Sequence, residues 1–386
     1  MPPIYFPFET FLVFLVSAAI CTFILKTRDV YMPLVERRGD SRAVQAAHRR
    51  PTPRIGGLAL LGSLVPIALF LPADISSRFW LFMLSVIPVA IAGLAEDLGY
   101  HVRPRNRLIA AGLSSATAIL VLDVWLPRTD VPGLDHLMVW APFAWLFTVF
   151  ACAGICNAFN LIDGLNGLSS GIGVITAIGL AAIAAKTGFS SLVEMKLMLV
   201  AALMGFLMFN FPFGKIFLGD IGAYALGHLL AWFSIALLIR LPELSTWAVL
   251  LIFFWPIADT FFAIYRRRRA GRPTDMPDRL HYHQLVMRAL EITLIGRGRR
   301  NIANPMATLV ILPLASAPVI TGVLLWNKPF EAFLAVFGFS VLFVLSYVLG
   351  VKSVQSGRLL SGRRGRGIAL QPAKVLVADP VRKKVG

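Results

Sequence analysis

FEAFLAVFGFSVLFVLSYVLG, residues 330–350, is a run of membrane-spanning length with a single charged side chain, Glu331. A helix of roughly 20 apolar residues crosses the hydrocarbon core with every backbone N–H and C=O bonded internally, which irregular chain cannot do in lipid. Runs of the same kind recur toward the N-terminus, near 307–326, 246–265, 221–239, 197–213, 167–185, 138–156, 108–126, 79–95, 56–71 and 8–25. The expectation is an all-α, polytopic integral membrane protein of about eleven transmembrane helices. Composition agrees. Hydrophobic residues fill 57% of the 386 positions and charged residues 15%, against about 45–50% and about 25% in soluble domains. The first run has neither a basic flank before it nor a small-residue cleavage site, so a retained span is expected rather than a signal peptide.

Basic residues set the orientation. With alternate loops counted as inside, 31 of the 37 Lys and Arg residues fall on one side, leaving Arg78, Arg128, Lys186, Lys196, Arg240 and Lys328 on the other. The positive-inside rule then puts the N-terminus outside and the C-terminus in the cytoplasm. The same topology accounts for the net charge of +17, so nucleic acid is not an expected partner. Residues 1–350 read as one transmembrane domain, and 351–386 as a basic cytoplasmic tail, expected to be disordered beside anionic lipid. Cys21, Cys152 and Cys156 fall inside spans without further ligands at metal spacing and read as packing residues.

Every dense polar motif falls in a loop that the charge count had already placed inside. His48 and Arg54 flank a turn fixed by Pro51 and Pro53, ahead of Gly56-Gly57, and could donate to phosphate. Glu96-Asp97 follows, with Arg103, Arg105 and Arg107 after it; adjacent carboxylates repel unless they share a cation or a proton. Asn157-Ala158-Phe159-Asn160-Leu161-Ile162-Asp163-Gly164-Leu165-Asn166-Gly167 repeats polar residues every third position, a spacing that spreads them over half of a straight helix. The span is therefore expected to end near Asn160, with the glycines turning Asp163 and Asn166 into a pocket.

Lys215-Ile216-Phe217-Leu218-Gly219-Asp220 places an acid at the start of the next span, where a helix N-terminus favours anions. Asp220 reads either as a cap or, beside Mg²⁺ and a diphosphate, as a bridging ligand. Arg279-Leu280-His281-Tyr282-His283 is a compact donor cluster, and no thiolate or third histidine nearby makes it a transition-metal site. Asp259 lies within a span, where an acid is a functional suspect; it could equally partner Arg266 to Arg269.

In this order, PTPRIGG, NAFNLIDGLNGL, KIFLGDIG and DRLHYHQL resemble the motifs of the polyprenyl-phosphate N-acetylhexosamine-1-phosphate transferases, a family that includes the phospho-MurNAc-pentapeptide translocase. The resemblance covers roughly residues 45 to 290. It implies Mg²⁺-dependent (Mn²⁺ substituting) transfer of a sugar 1-phosphate, most simply of the GlcNAc type, from a UDP-sugar to undecaprenyl phosphate, with release of UMP. Initiation of O-antigen or another cell-envelope polysaccharide at the inner membrane would follow, with lipid as surroundings and a homodimer compatible. By motif, Asp220 would be the principal metal ligand with Asp97 beside it. Glu96, Asp97, Asp163, His281 and His283 would be catalytic. Phe217 would stack on uracil. Asn157, Asn160 and Asn166 would line the donor pocket, and His48, Arg54, Lys215 and Arg279 would face phosphates.

Three positions depart from the family pattern. Glu96-Asp97 stands for Asp-Asp, Asn166 for the second Asp of Asp-Gly-x-Asp-Gly, and His281-Tyr282-His283-Gln284 for His-x-His-His. Each keeps a hydrogen-bonding group, so activity is expected to be retained. The rival class, a secondary transporter or lipid flippase, predicts broken helices at mid-membrane and paired internal repeats. Polar clusters confined to span ends on one face disfavour it.

Overall fold

In the computed structural model, residues 8–36, 52–69, 73–186, 188, 190–271, 280–296 and 298–363 are described. The chain forms α1 (Phe8–Glu36), α2 (Gly57–Leu64), α3 (Ala73–Asp97), α4 (Pro104–Leu122), α5 (Pro132–Met138), α6 (Ala141–Ile162) and α7 (Leu168–Ala185). It continues through α8 (Ser190–Asn210), α9 (Gly219–Arg240), α10 (Thr246–Ile252), α11 (Phe254–Arg269), α12 (Tyr282–Leu290), α13 (Arg300–Leu324) and α14 (Pro329–Arg363). Among the described residues there is no strand.

Eight of the described helices are long and apolar enough to cross a membrane, or nine if α10 and α11 count as one span. The expected run at 56–71 is broken: α2 stops at Leu64 and continues only as a tight helical turn over Val65–Leu69. The expected run at 108–126 corresponds to α4, which starts at Pro104 and carries Arg105 and Arg107 in its first turn. The run at 246–265 is not one straight helix either, because α10 and α11 meet at 82°. Pro256, two residues into α11, has no N–H to give and its ring crowds the carbonyl of Ile252, so the ladder breaks there. At the C-terminal end, α14 runs on to Arg363, so the first part of the basic stretch after residue 350 is helical.

α9 is the axle of the bundle. Apart from Asp220 at its start and Arg240 at its end it carries no Asp, Glu, Lys or Arg, and 94% of its apolar window is buried. A helix that is apolar all round has no face for solvent and is sheltered by others. α3, α6, α2 and α7 surround it. Its approach to α2 is so close that a Cβ on Gly57 would lie 2.2 Å from the backbone nitrogen of Gly222, and only glycine fits there. α14, with 17% of its window buried, is peripheral. Cys21, Cys152 and Cys156 are buried free thiols, as the packing reading expects.

Both ends of α9 are closed by side chains from elsewhere. At its C-terminus Arg128 donates to the carbonyl of Leu238 in the last turn and to those of Leu241 and Leu244 just beyond the helix. Its N-terminus lies where α3 and α6 end and α4 begins. The polar motifs meet there.

Candidate active site

A helix start leaves backbone N–H groups unpaired, and the residue before α9, Leu218, has no side-chain oxygen to offer. Asp97, the last residue of α3, supplies what is missing. Its Oδ1 accepts from the N–H of Asp220 at 3.0 Å and its Oδ2 from that of Ile221 at 2.9 Å. The N–H of Gly219 bonds to Asp163, in the turn after α6. Gly219 has φ +74, and a Cβ on it would collide with the carbonyl oxygen of Arg54 and stand 2.5 Å from Asp97 Oδ2. The glycine before Asp220 is thus what lets the first loop, α3 and α9 converge.

Asp220 itself is 4% exposed, and both of its oxygens are engaged. Asn160 Nδ2 donates to Oδ1 at 3.0 Å, and Arg107 Nη1 bonds to Oδ2. Arg54 spans the acids, with Nε 3.8 Å from Asp97 and Nη2 3.6 Å from Asp220. Burial pushes the Asp163 carboxyl up to about 7, even though Arg54 and the Gly219 N–H both act to lower it. Glu96 differs from the others: its Oε2 is buried and has no hydrogen-bond partner.

The first and fourth motifs are laced together by backbone. Phe217 N–H donates to Pro53 O at 2.8 Å, Gly56 N–H to Phe217 O at 2.9 Å, and Gly57 N–H to Leu218 O at 2.8 Å. Phe217 is part-buried beside this lacing, while Lys215 is exposed with its ammonium 5.8 Å from the Phe213 ring centroid. Asn157 Oδ1 accepts from the Tyr224 hydroxyl at 3.4 Å. Asn166 is buried: its N–H donates to Asn304 Oδ1 and its Nδ2 to Pro212 O at 2.7 Å, and Thr308 donates to its carbonyl. Asn210 holds the other side of the turn through the N–H of Gly167.

The histidines reach the same place from α12. His283 lies against Gly164, where a Cβ would be 2.4 Å from its Nε2, so the fifth motif touches the Asp163 turn. The rings of His281 and His283 stack at 5.6 Å. Asp259 fixes this pair: Oδ2 meets His281 Nδ1 at 2.9 Å and Oδ1 accepts from Tyr282 N–H at 2.9 Å. The partner found for Asp259 is His281, which the sequence had not named; there the acid stood as a functional suspect or as a partner for Arg266 to Arg269. His48 and Arg279 lie outside the described residues.

Arg107 is the site residue that the sequence reading did not single out. The motif places it only within a basic stretch after Glu96-Asp97, and the available signal was its place in the first turn of a helix, where it faces inward while Arg103 and Arg105 stay exposed. Among the described residues, no three His, Cys, Asp or Glu side chains converge as a ready-made metal cage.

The family model of glycosyl transferase family 4 matches residues 79–238, from α3 to the end of α9. The chain belongs to this family. Among its relatives is a probable undecaprenyl-phosphate N-acetylglucosaminyl 1-phosphate transferase of Bacillus subtilis, 29% identical over 280 residues, covering 72% of this chain and 76% of the relative. A phospho-N-acetylmuramoyl-pentapeptide-transferase of Lacticaseibacillus paracasei is 29% identical over 247 residues, covering 60% and 75%. An undecaprenyl-phosphate alpha-N-acetylglucosaminyl 1-phosphate transferase of Yersinia pestis is 24% identical over 286 residues, covering 73% and 76%. The stretch matched to glycosyl transferase family 4 contains Glu96, Asp97, Arg107, Asn160, Asp163 and Asp220, the groups packed around the start of α9.

Proposed function

We propose that the protein transfers an N-acetylhexosamine 1-phosphate, most simply of the GlcNAc type, from a UDP-sugar to undecaprenyl phosphate. The transfer would take place at the cytoplasmic face of a bacterial inner membrane and supply the first lipid-linked sugar of O-antigen or another envelope polysaccharide. The observation that carries this reading is the gathering of Glu96, Asp97, Asp163 and Asp220 with Arg54 and Arg107 at one end of a lipid-embedded bundle. Both substrates are anions, one soluble and one confined to a leaflet, so a site joining them needs fixed positive charge at the membrane surface. The named activities of the relatives support the same reading.

Mg²⁺ fits the residues present. The carboxylates of Asp97, Asp163 and Glu96 that gather with Asp220 offer oxygens, which suit a hard cation, and the buried Glu96 Oε2 has no hydrogen-bond partner of its own. Mg²⁺ usually keeps several waters and takes only one or two carboxylates plus substrate phosphates, so a closed protein cage is not required. Asp220, with Asp97 or Asp163 beside it, would hold the ion; when bound, it neutralises charge on the diphosphate. Arg54 and Lys215 would steady phosphates, Phe217 would stack on the base, and Asn157 and Asn160 would line the donor pocket. An oxygen of the acceptor phosphate attacks the β-phosphorus of the UDP-sugar, and the bond to the α-phosphate breaks to release UMP. Glu96 or Asp97 would receive the acceptor's proton, and the His281–His283 pair would face the diphosphate.

The test is UMP release by purified protein from a panel of UDP-sugars with undecaprenyl phosphate. Release that needs both substrates, stops with chelator and disappears in Asp220→Asn is the expected result. Full activity of Asp220→Asn would reduce that residue to a helix-start acid. The orientation is tested separately: a reporter fused at Gly386 is expected inside and one at Asp130 outside, and an internal signal at Asp130 would reverse the assignment.

A further inference from the structure

We propose that Arg107 is the resident counter-ion of Asp220 and is exchanged during the reaction cycle. Its guanidinium leaves Asp220 when a divalent cation arrives and takes up an oxygen of a phosphate monoester. This rests on the transferase reading above and adds to it a residue that couples cation binding to anion binding.

Asp220 is 4% exposed, so its ionised carboxylate needs a counter-charge. Arg107 provides it by contact with Oδ2. Arg54 is the other candidate, but it sits at 3.6 Å from Asp220 and 3.8 Å from Asp97, divided between two acids. Asn160, on Oδ1, is neutral. The close charge–charge contact is therefore that of Arg107 alone among these.

The guanidinium of Arg107 is under-used where it stands. Nη1 meets Asp220, whereas Nε is buried without a hydrogen-bond partner. Arginine carries five donors in a planar fork suited to two oxygens of one phosphate, and a fork with a stranded Nε–H is arranged for a second acceptor. Arg107 sits in the first turn of α4, its side chain 15% exposed, beside the exposed Arg103, Arg105 and Asn106. A divalent cation on Asp220 would stand against this guanidinium, and like charges so close separate unless an anion comes between them. Removing Arg107 should then help a cation to bind alone and abolish the help that a phosphate gives. Coupling of this kind is reciprocal.

The experiment measures Mn²⁺ binding to the full-length protein in detergent by electron paramagnetic resonance, without turnover. It is run alone, with the monophosphate of a short prenol, and with UMP. For the wild type, one of the two anions should tighten Mn²⁺ by about 10-fold, within the usual range for coupled sites. In Arg107→Gln, Mn²⁺ alone should bind several-fold tighter and the anion effect should collapse; Arg107→Lys, which keeps the charge, should retain most of it. Whichever anion shows the Arg107-dependent effect identifies whether acceptor or donor phosphate is taken. Equal Mn²⁺ affinities and equal anion effects in wild type and Arg107→Gln, with matching melting curves, overturn the proposal and leave the transferase reading intact. If Arg107→Gln does not fold, Arg107→Lys decides: its partial loss of coupling supports the exchange, and its full wild-type behaviour with Asp220→Asn still binding Mn²⁺ refutes it. A wild type that binds no Mn²⁺ with either anion overturns the transferase reading itself.

Discussion

The carboxylate of Asp97 closes the first turn of the helix that begins at Gly219 and Asp220, each oxygen accepting one backbone N–H, from Asp220 and from Ile221. An acid at the end of one span is thereby the cap of another. Replacing a capping acid with alanine costs about 0.5–2 kcal/mol. Asp97→Ala should lower the melting temperature in detergent, and Asp97→Asn, which keeps one acceptor, should lose less. The same variants should weaken cation dependence, because the backbone that carries Asp220 is no longer pinned. An unchanged melting curve for Asp97→Ala would show that the cap contributes nothing to folding.

Asp163 gives the pH dependence. Burial raises its carboxyl to about 7, above its ordinary value of about 3.9. A carboxyl raised on folding contributes stability that is fully present below the unfolded value and is lost as pH rises through the folded one. Without a divalent cation, wild type should therefore lose melting temperature relative to Asp163→Asn between about pH 4 and pH 7 and level off above that. Asparagine stands for the protonated acid, so the two proteins should match near the acid end. A difference that grows toward acid pH would mean that Asp163 is held ionised.

Asn166 stands where the family more often has Asp, and its surroundings give a reason. Its Nδ2 donates to the carbonyl of Pro212 at 2.7 Å in a buried turn, a bond a carboxylate cannot make. Asn166→Ala should cost about 1–3 kcal/mol of stability by leaving that carbonyl unpaired, and Asn166→Asp should also be destabilised until its partner is changed. If Asn166→Ala melts like wild type but raises KM for the UDP-sugar alone, the amide serves the pocket and not the turn.

How much of this was readable beforehand depends on the distance over which each signal acts. Long apolar runs announce spans locally, so α1, α3, α6 to α9, α13 and α14 were legible. The bend at Phe253 was not, because a proline in an apolar run does not say whether the neighbours will refill its broken hydrogen bonds. At the candidate site, the motifs had pointed to Asp97, Asn160, Asp163 and Asp220, and the fold brings these four together. Which acid meets which donor was out of reach, since the Asp97 to Asp220 and Arg107 to Asp220 contacts join residues more than a hundred positions apart. The Asp259 and His281 pair is of the same kind: the span flagged the acid as costly, and only packing chose its partner.

The same inventory of carboxylates bears on the order of bond making. The expectation is direct attack of the acceptor phosphate on the β-phosphorus, with no sugar phosphate held covalently by the enzyme. A covalent route needs a carboxylate oxygen free to attack through the repulsion of a diphosphate. Asp97 spends both oxygens on backbone N–H groups, Asp220 is covered by Arg107 and Asn160, and Asp163 accepts from Gly219. Glu96 retains an unpartnered oxygen, and its stem comes from the end of α3, next to the Arg-bearing loop that leads into α4. That position suits taking a proton from an acceptor phosphate arriving from the membrane. The acceptor brings its own nucleophile, and holding two reactants in register supplies roughly 7–11 kcal/mol, so a second displacement at the same phosphorus adds a step without adding an advantage. Enzyme mixed with labelled UDP-sugar and Mg²⁺ but no lipid should give no stoichiometric burst of UMP and no label on denatured protein. Glu96→Gln should slow the complete reaction at least about 100-fold, the usual scale for a proton-transfer group, while donor binding persists. One equivalent of UMP with label recovered on Glu96 or Asp97 would establish the two-step route in place of the direct one.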